Sequence, residues 1–158
     1  MHIDARELSN NSVIEGDLCI VGAGAAGIST AIEWDNLPYK VILLEGGGFE
    51  YDDKVQELYK GEITGHPYYP MESSRLHYFG GTSMHWGGMC SPFDPIDFEE
   101  RDWVDWGKWP IPKEEIFNYY PRCHPILDLG PCEWDVSYWQ QTFPSFVPLP
   151  VDKKVIWP

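Results

Sequence analysis

The chain has 158 residues, and its 25 acidic and 11 basic side chains give a formal net charge of −14. A surface of this sign repels phosphate backbones and anionic lipid, so the composition argues against a nucleic-acid-binding or membrane-surface protein. Aromatic residues are abundant, with 8 Trp and 9 Tyr. The length suffices for one domain with a sizeable core.

Residues 1–16 form a predicted N-terminal extension with neither a basic nor an apolar signal region, so we expect a cytoplasmic protein unless a partner subunit exports it. No apolar run is long enough to span a membrane. Cys19, Cys90, Cys123 and Cys132 show no CxxC pairing and no metal-ligand spacing. We therefore expect no metal site and predict reduced, mostly packed thiols, with a Cys123–Cys132 disulfide as the less favoured alternative.

The first predicted elements form a β-α-β unit. Asp17–Val21 (DLCIV) is an apolar run of strand length, and the glycine-rich turn Gly22–Gly27 (GAGAAG) follows it directly. Ile28–Trp34 (ISTAIEW) carries apolar residues at helical spacing. Pro38 breaks this helix, and Val41–Glu45 (VILLE) reads as a second buried strand.

The turn between the first strand and the helix has the GxGxxG spacing of a dinucleotide-binding site. Gly22 would permit the tight turn, Gly24 would let a pyrophosphate approach the backbone, and Gly27 would let helix and strand pack closely. The N-terminus of the helix would offer free N–H groups to the phosphates, and Ala25 and Ala26 of the turn are also expected to contact the cofactor.

Glu45 ends the second strand 18 residues after Gly27, with Gly46 next to it. A carboxylate in this place can accept a hydrogen bond from a ribose 2′-hydroxyl, and it argues against the 2′-phosphate of NADP. The β-α-β unit alone does not separate NAD from FAD, although its place near the N-terminus favours FAD.

A second glycine-rich stretch, GGTSMHWGG at 80–88, follows the β-α-β unit. It resembles the loop that runs under the flavin in the glucose–methanol–choline (GMC) family of FAD-dependent oxidoreductases. The resemblance extends through 107–130 (GKWPIPKEEIFNYYPRCHPILDLG) and covers residues 17–130. The G-G-x-S-x-H-W form is most similar to the carbohydrate-oxidising branch, which includes pyranose oxidases and glucoside 3-dehydrogenase-like enzymes.

This resemblance implies roles for the residues of the second glycine-rich stretch other than Met84. Close approach of the backbone to the isoalloxazine ring would require glycines, here Gly80, Gly81, Gly87 and Gly88. Thr82 and Ser83 would offer hydroxyl and N–H groups to the ribityl chain and pyrophosphate. Trp86 would pack beside the ring or exclude solvent. His85 stands where pyranose-oxidase-like members attach the flavin 8α-methyl carbon covalently, and a packed or hydrogen-bonded histidine beside non-covalent FAD is the alternative.

The expected fold class is α/β, a Rossmann-like FAD-binding β-α-β unit that forms the N-terminal part of a two-domain GMC fold. We expect FAD-binding and flavin-loop residues at 17–90 and an aromatic, proline-rich segment covering the flavin site at 91–150. Residues 151–158 would begin a domain completed by further sequence or by a second chain. The substrate domain, with a catalytic histidine and its His or Asn partner, would lie mostly outside this chain.

The expected activity is oxidation of a CH–OH group of a sugar or glycoside by hydride transfer to flavin N5, with electrons passing to oxygen or another acceptor. Two alternatives stay open, a non-carbohydrate alcohol or choline-type oxidase and a non-catalytic dinucleotide-binding subunit.

Three further features have weaker functional signals. His77 precedes the second glycine-rich stretch, and a structural role is favoured over catalysis. His66 lies in an aromatic and proline-rich segment that reads as a lid or subunit contact. Asp97–Trp106 (DFEERDWVDW) combines carboxylates with tryptophans, as carbohydrate-binding sites do, but the favoured prediction is a solvated loop packed down by its tryptophans.

Overall fold

The computed structural model describes residues 1–103 and 105–145. The chain divides into two compact units, Met1–Trp86 and a second unit that begins at Gly87. The predicted division lay between residues 90 and 91. The segment 151–158, which the sequence predicts to begin a further domain, lies outside the described residues, as does the end of the predicted segment 91–150.

The first unit is built on a parallel pair of strands joined by a helix. Strand β1 (Leu18–Val21) is followed by helix α1 (Ala25–Trp34) and strand β2 (Val41–Leu44). Leu18 pairs with Val41 at one end of the register. The three predicted elements are confirmed, and α1 begins earlier than its apolar periodicity predicted because Gly24 already serves as its N-cap. Two strands and one helix are common to many α/β folds, so the Rossmann-like FAD-binding assignment stays a prediction.

Short helices complete the first unit. The α-helices are α2 (Asp53–Gln56) and α3 (Met71–Ser74). Single 3₁₀ turns lie at Ala5–Glu7, Glu57–Tyr59 and Gly81–His85. Helix α1 packs on both strands, while α2 and α3 each contact the 3₁₀ turn Glu57–Tyr59. These short elements hold the segment that follows α3 beside the carboxyl ends of the strands.

The second unit is helical and rich in aromatic contacts. It contains the 3₁₀ turn Pro95–Phe98 and the helices α4 (Lys113–Phe117), α5 (Tyr120–Ile126) and α6 (Val136–Thr142). Asp135 caps α6, accepting hydrogen bonds from the Ser137 hydroxyl and backbone N–H, both at 2.7 Å. The hydroxyl and then the backbone hydrogen bond lower the pKa of the Asp135 carboxyl below its usual value.

Few side chains are buried in the described part of the chain. Among the described residues, Ala23 is the single buried apolar residue, and no large side chain is fully buried. Strand β1 alternates, so Ile20 lies towards α1 while Val21 is 82 % exposed. Parallel strands are normally covered on both faces. The described residues therefore leave one face of β1 open.

The cysteines differ from the packing prediction. All four are free thiols. Cys19 and Cys123 are exposed, so the prediction that the cysteines are mostly packed is wrong for these two. Cys19 is exposed because it lies on the uncovered face of β1. None of the helices in the ranges 1–103 and 105–145 is both long enough and apolar enough to span a membrane.

Candidate functional site

The two glycine-rich segments meet in the first unit. The backbone N–H of Gly80 donates to the carbonyl oxygen of Ala23 at 2.8 Å, and Gly24 and Gly80 form an isolated parallel bridge. A Cβ on Gly81 would lie 3.7 Å from the Cα of Gly24. Residues far apart in the sequence thus form one continuous glycine-lined surface at the end of β1.

Gly80 adopts a backbone conformation that favours glycine. Its φ is +93°, in the left-handed region that residues with a side chain rarely adopt. A Cβ at this position would lie 2.6 Å from Cγ and Sδ of Met84, but that flexible side chain is 59 % exposed and can move aside. Gly80 is buried, and its geometry lets the chain turn into the 3₁₀ turn Gly81–His85 while keeping the bond to Ala23. The predicted approach of this glycine to the isoalloxazine ring stays a prediction, and within the chain Gly80 instead contacts the first glycine turn.

A cavity of about 600 Å³ opens beside this contact. Six of the residues predicted to bind the cofactor line it: Gly22, Gly24, Glu45, Gly46, Gly81 and Thr82. Six others that the sequence did not assign to the cofactor also line it: Val21, Leu44, Tyr59, Leu76, His77 and Tyr78. Val21 and Leu44 end the two strands, so the cavity lies at the carboxyl edge of the sheet, where α/β proteins commonly bind ligands.

Glu45 ties two backbone segments together at the rim of this cavity, the first glycine turn and the loop after β2. Its Oε2 accepts a hydrogen bond from the N–H of Ala23 at 2.8 Å, and its Oε1 accepts from Gly46 and Gly47 at 2.9 and 3.0 Å. A carboxylate offers about four acceptor positions. Three are used within the chain, which leaves room for one further donor such as a ribose hydroxyl. The sequence predicted the location of Glu45, but not these backbone contacts.

His77 forms part of the cavity wall. Its ring stacks on Tyr59 with centroids 4.8 Å apart and an interplanar angle of 27°. Its Nε2 would lie 2.7 Å from a Cβ on Gly46, so the imidazole packs directly against that glycine. Its Nδ1 is buried without a hydrogen-bond partner. No pattern in the sequence placed His77 beside Glu45 and Gly46.

Gln56 holds the cavity wall in place. It is 4 % exposed, and its Nε2 donates to the carbonyl oxygens of Glu72 and Arg75 at 2.7 and 2.6 Å. Its Oε1 accepts from the N–H of His77 at 3.0 Å. These three hydrogen bonds from a buried amide fix the chain that enters the second glycine-rich segment. The loss of any one of them would leave a buried polar group without a partner.

The hydroxyl groups of Thr82 and Ser83 have partners within the chain. Thr82 Oγ1 accepts a hydrogen bond from the N–H of Leu76 at 3.2 Å, which leaves its own proton for another acceptor. Ser83 Oγ donates to the carbonyl oxygen of Gly80 at 2.6 Å, so its proton is used within the turn. Of the two residues, Thr82 lines the cavity, and its hydroxyl proton can be donated to a ligand there.

Other predicted cofactor residues lie outside the cavity lining. Gly27 packs helix against strand, as predicted, because a Cβ there would lie 1.9 Å from the carbonyl oxygen of Gly22. Ala25, Ala26, Ser83, His85 and Trp86 are exposed. Gly87 and Gly88 belong to the second unit and are also exposed. Both readings of His85, covalent attachment to FAD and a packed or hydrogen-bonded histidine beside non-covalent FAD, stay predictions.

The tryptophans of Asp97–Trp106 correct the prediction of a packed-down loop. Trp103 is 75 % exposed and Trp106 is 99 % exposed, so neither side chain packs the loop against the rest of the second unit. A second cavity of about 190 Å³ lies here, wholly within the second unit. Arg101 Nε donates instead to the carbonyl oxygen of Gly107, just after this loop, at 2.8 Å, a contact that the aromatic content of the sequence did not indicate.

Within the described ranges, no group of three or more His, Cys, Asp or Glu residues could hold a metal ion. Comparison with protein-family models, with curated proteins and with solved structures finds no match to this chain. The geometry of the two cavities therefore carries the functional argument.

Proposed function

We propose that the first unit binds FAD and forms the nucleotide-binding part of an oxidoreductase acting on a CH–OH group of a sugar or glycoside. The observation that carries this proposal is the contact between Gly80 and the turn at Ala23 and Gly24 beside a single cavity. A nucleotide cofactor needs this kind of surface, because its pyrophosphate must approach the backbone without meeting side chains.

The residues around the cavity suit a dinucleotide. The volume of about 600 Å³ lies within the usual range of small-molecule sites. A Cβ on Gly24 would meet no atom within 4 Å, so this glycine leaves open space beside the turn. Val21 and Leu44 supply apolar surface, and Glu45 supplies the carboxylate that favours a ribose hydroxyl over a 2′-phosphate.

The groups around the cavity would either bind the cofactor or hold the binding groups in place. The N–H groups at the start of α1 face no acceptor within the helix and attract phosphate through the positive end of the helix dipole. Glu45 keeps the first turn and the loop after β2 in register, and Gln56 holds the wall that carries His77. When bound, a flavin supplies a hydride acceptor for the oxidation of an alcohol.

The proposal includes further protein on the uncovered face of β1. Val21 and Cys19 are exposed there, and Ala23 is the single buried apolar residue among those the structure describes. Exposed apolar strands of this kind favour association. The additional surface would come from other sequence of the same enzyme or from a second subunit, which would also supply the group that accepts the substrate proton.

Flavin loading tests the proposal directly. The purified protein, incubated with FAD and desalted, should keep the visible absorption bands of a bound flavin. Gly24→Leu should abolish retention, because its side chain occupies the open space beside the turn, and its φ of −82° accepts any residue. Gly61→Leu is the matched control, since a Cβ on Gly61 also meets nothing within 4 Å but lies outside the cavity.

The same spectra separate the alternatives. Retention of NAD without flavin would contradict FAD binding and support a non-catalytic dinucleotide-binding subunit. With flavin bound, bleaching by sugars after addition of the missing protein would support carbohydrate oxidation. Bleaching by choline or simple alcohols alone would support the alternative oxidase.

A further inference from the structure

We propose that His77 is a positioning residue that gives the cavity of the first unit its selectivity for a ribose hydroxyl. The inference rests on the proposed function, because the hydroxyl belongs to the nucleotide that Glu45 would bind. His77 lines the cavity of about 600 Å³, but it acts on Glu45 through the loop that follows β2.

The loop after β2 contains three successive glycines, Gly46–Gly48. Glycine has more backbone freedom than any other residue, so such a loop samples many conformations unless neighbouring groups restrict it. Two of its N–H groups nevertheless have a fixed task, because those of Gly46 and Gly47 donate to Oε1 of Glu45 at 2.9 and 3.0 Å. The orientation of the Glu45 carboxylate therefore depends on what holds this loop.

The imidazole of His77 meets the loop end-on. A Cβ on Gly46 would lie 2.7 Å from Nε2 and at nearly equal distances, 3.6 and 3.7 Å, from Cε1 and Cδ2 of that ring. These distances place the apex of the ring, and not its face, against Gly46. Beside it, a Cβ on Gly47 would lie 2.6 Å from Cα of Tyr78. The loop therefore packs directly on His77 and Tyr78, without an intervening side chain.

Contacts on its other sides hold the imidazole in place. Its ring stacks on Tyr59 with centroids 4.8 Å apart, and the backbone N–H of His77 donates to Oε1 of the buried Gln56 at 3.0 Å. Two residues further on, the N–H of Phe79 donates to the carbonyl oxygen of Gly48 at 2.9 Å and joins the two segments. A ring fixed in this way restricts the glycine loop, and so fixes the N–H groups that orient Glu45.

This arrangement bears on one part of a nucleotide more than on the rest. After its three backbone hydrogen bonds, Glu45 has one acceptor position left for a ligand. A hydrogen bond to a carboxylate is strong only when donor and acceptor are well aligned. Loss of the His77 ring should therefore weaken recognition of a ribose 2′-hydroxyl, whereas a general loss of structure would weaken binding with and without that hydroxyl alike.

Calorimetric titration of the full chain with ADP and 2′-deoxy-ADP measures this selectivity. The wild type should bind ADP at least about tenfold more tightly than 2′-deoxy-ADP, as expected for one charge-assisted hydrogen bond. In His77→Ala this ratio should fall to about twofold or less. His66→Ala is the matched control and should keep the wild-type ratio, because His66 is an exposed histidine of the same unit outside the cavity lining.

Two amide variants test whether the reach of the side chain matters. The terminal amide in His77→Gln extends to the place of Nε2, so this variant should retain most of the preference for ADP. The shorter amide in His77→Asn stops before Gly46, so it should lose the preference as His77→Ala does. The comparison also serves if His77→Ala does not fold.

Amide hydrogen exchange in the ligand-free protein measures the positioning without a nucleotide. The N–H groups of Gly46 and Gly47 should exchange at least about fivefold faster in His77→Ala and His77→Asn than in the wild type, and at the wild-type rate in His66→Ala. Unchanged exchange in the first two variants, or an unchanged ratio of ADP to 2′-deoxy-ADP affinity, would overturn the inference and leave the FAD proposal standing. Absence of ADP binding to the wild type would overturn both.

Discussion

The sharpest structural prediction concerns Gly27→Ala. A Cβ at Gly27 would lie 1.9 Å from the carbonyl oxygen of Gly22 and 3.4 Å from Cγ2 of Ile20. The first distance is about 1 Å shorter than the closest approach that a Cβ tolerates. Helix α1 must therefore move away from β1, or the turn at Gly22 must move.

The turn cannot move without a cost of its own. The N–H of Gly22 donates to the carbonyl oxygen of Leu44 at 2.8 Å, which ties the turn to β2. Overpacking of this kind costs about 1–3 kcal/mol, and contact with backbone puts Gly27→Ala at the upper end. Replacing glycine by alanine within a helix by itself raises the free energy of unfolding by about 1 kcal/mol. We expect a net loss of about 2 kcal/mol in the free energy of unfolding.

Urea denaturation monitored by circular dichroism measures this loss. Gly61→Ala is the control, because its new Cβ meets nothing within 4 Å and its φ is outside the left-handed region. It should stay within about 0.5 kcal/mol of the wild type. A Gly27→Ala protein with the urea midpoint and slope of the wild type would refute the reasoning, since α1 would then pack on β1 with room for a methyl group.

Four further predictions address the site and the caps. Glu45→Ala should weaken FAD retention by about 1–3 kcal/mol, measured by reconstitution of apo-protein, and unchanged affinity would count against the ribose assignment. Acid precipitation should leave flavin on the wild-type polypeptide and release it from His85→Ala, whereas release from both proteins would exclude a covalent link. Gln56→Met should lower the free energy of unfolding by about 2 kcal/mol or more in urea titrations, because two carbonyl groups and one N–H lose their partner, and a wild-type midpoint would contradict this role. Because the pKa of Asp135 is lowered from 3.8 on folding, its capping contribution should be complete above pH 3.8 and disappear as pH falls through the folded value, which NMR of α6 amides can follow. Asp135→Asn should remove that pH dependence.

The local pattern of the sequence determined the elements of the first unit. Apolar runs of strand length and a helical repeat between them predicted β1, α1 and β2, because side-chain periodicity reflects which backbone geometry can bury one face. The spacing of Gly22 and Gly27 predicted close contact between helix and strand. The contact is confirmed, because a Cβ on Gly27 would lie 1.9 Å from the carbonyl oxygen of Gly22. Glu45 directly follows β2, which ends at Leu44, so the same local pattern located it to within one residue of the strand end.

Only the tertiary structure decided which distant segments meet. The contact between Gly24 and Gly80 depends on one long-range backbone hydrogen bond, which leaves no periodic signal in the sequence. Gln56 and His77 became part of the site wall through such contacts, although neither residue type indicates burial there. The prediction for the tryptophans of the second unit was wrong in the opposite sense, because residues expected to be packed are exposed. Aromatic composition predicts burial on average, whereas Trp106 is 99 % exposed on a left-handed backbone that no short sequence pattern specifies.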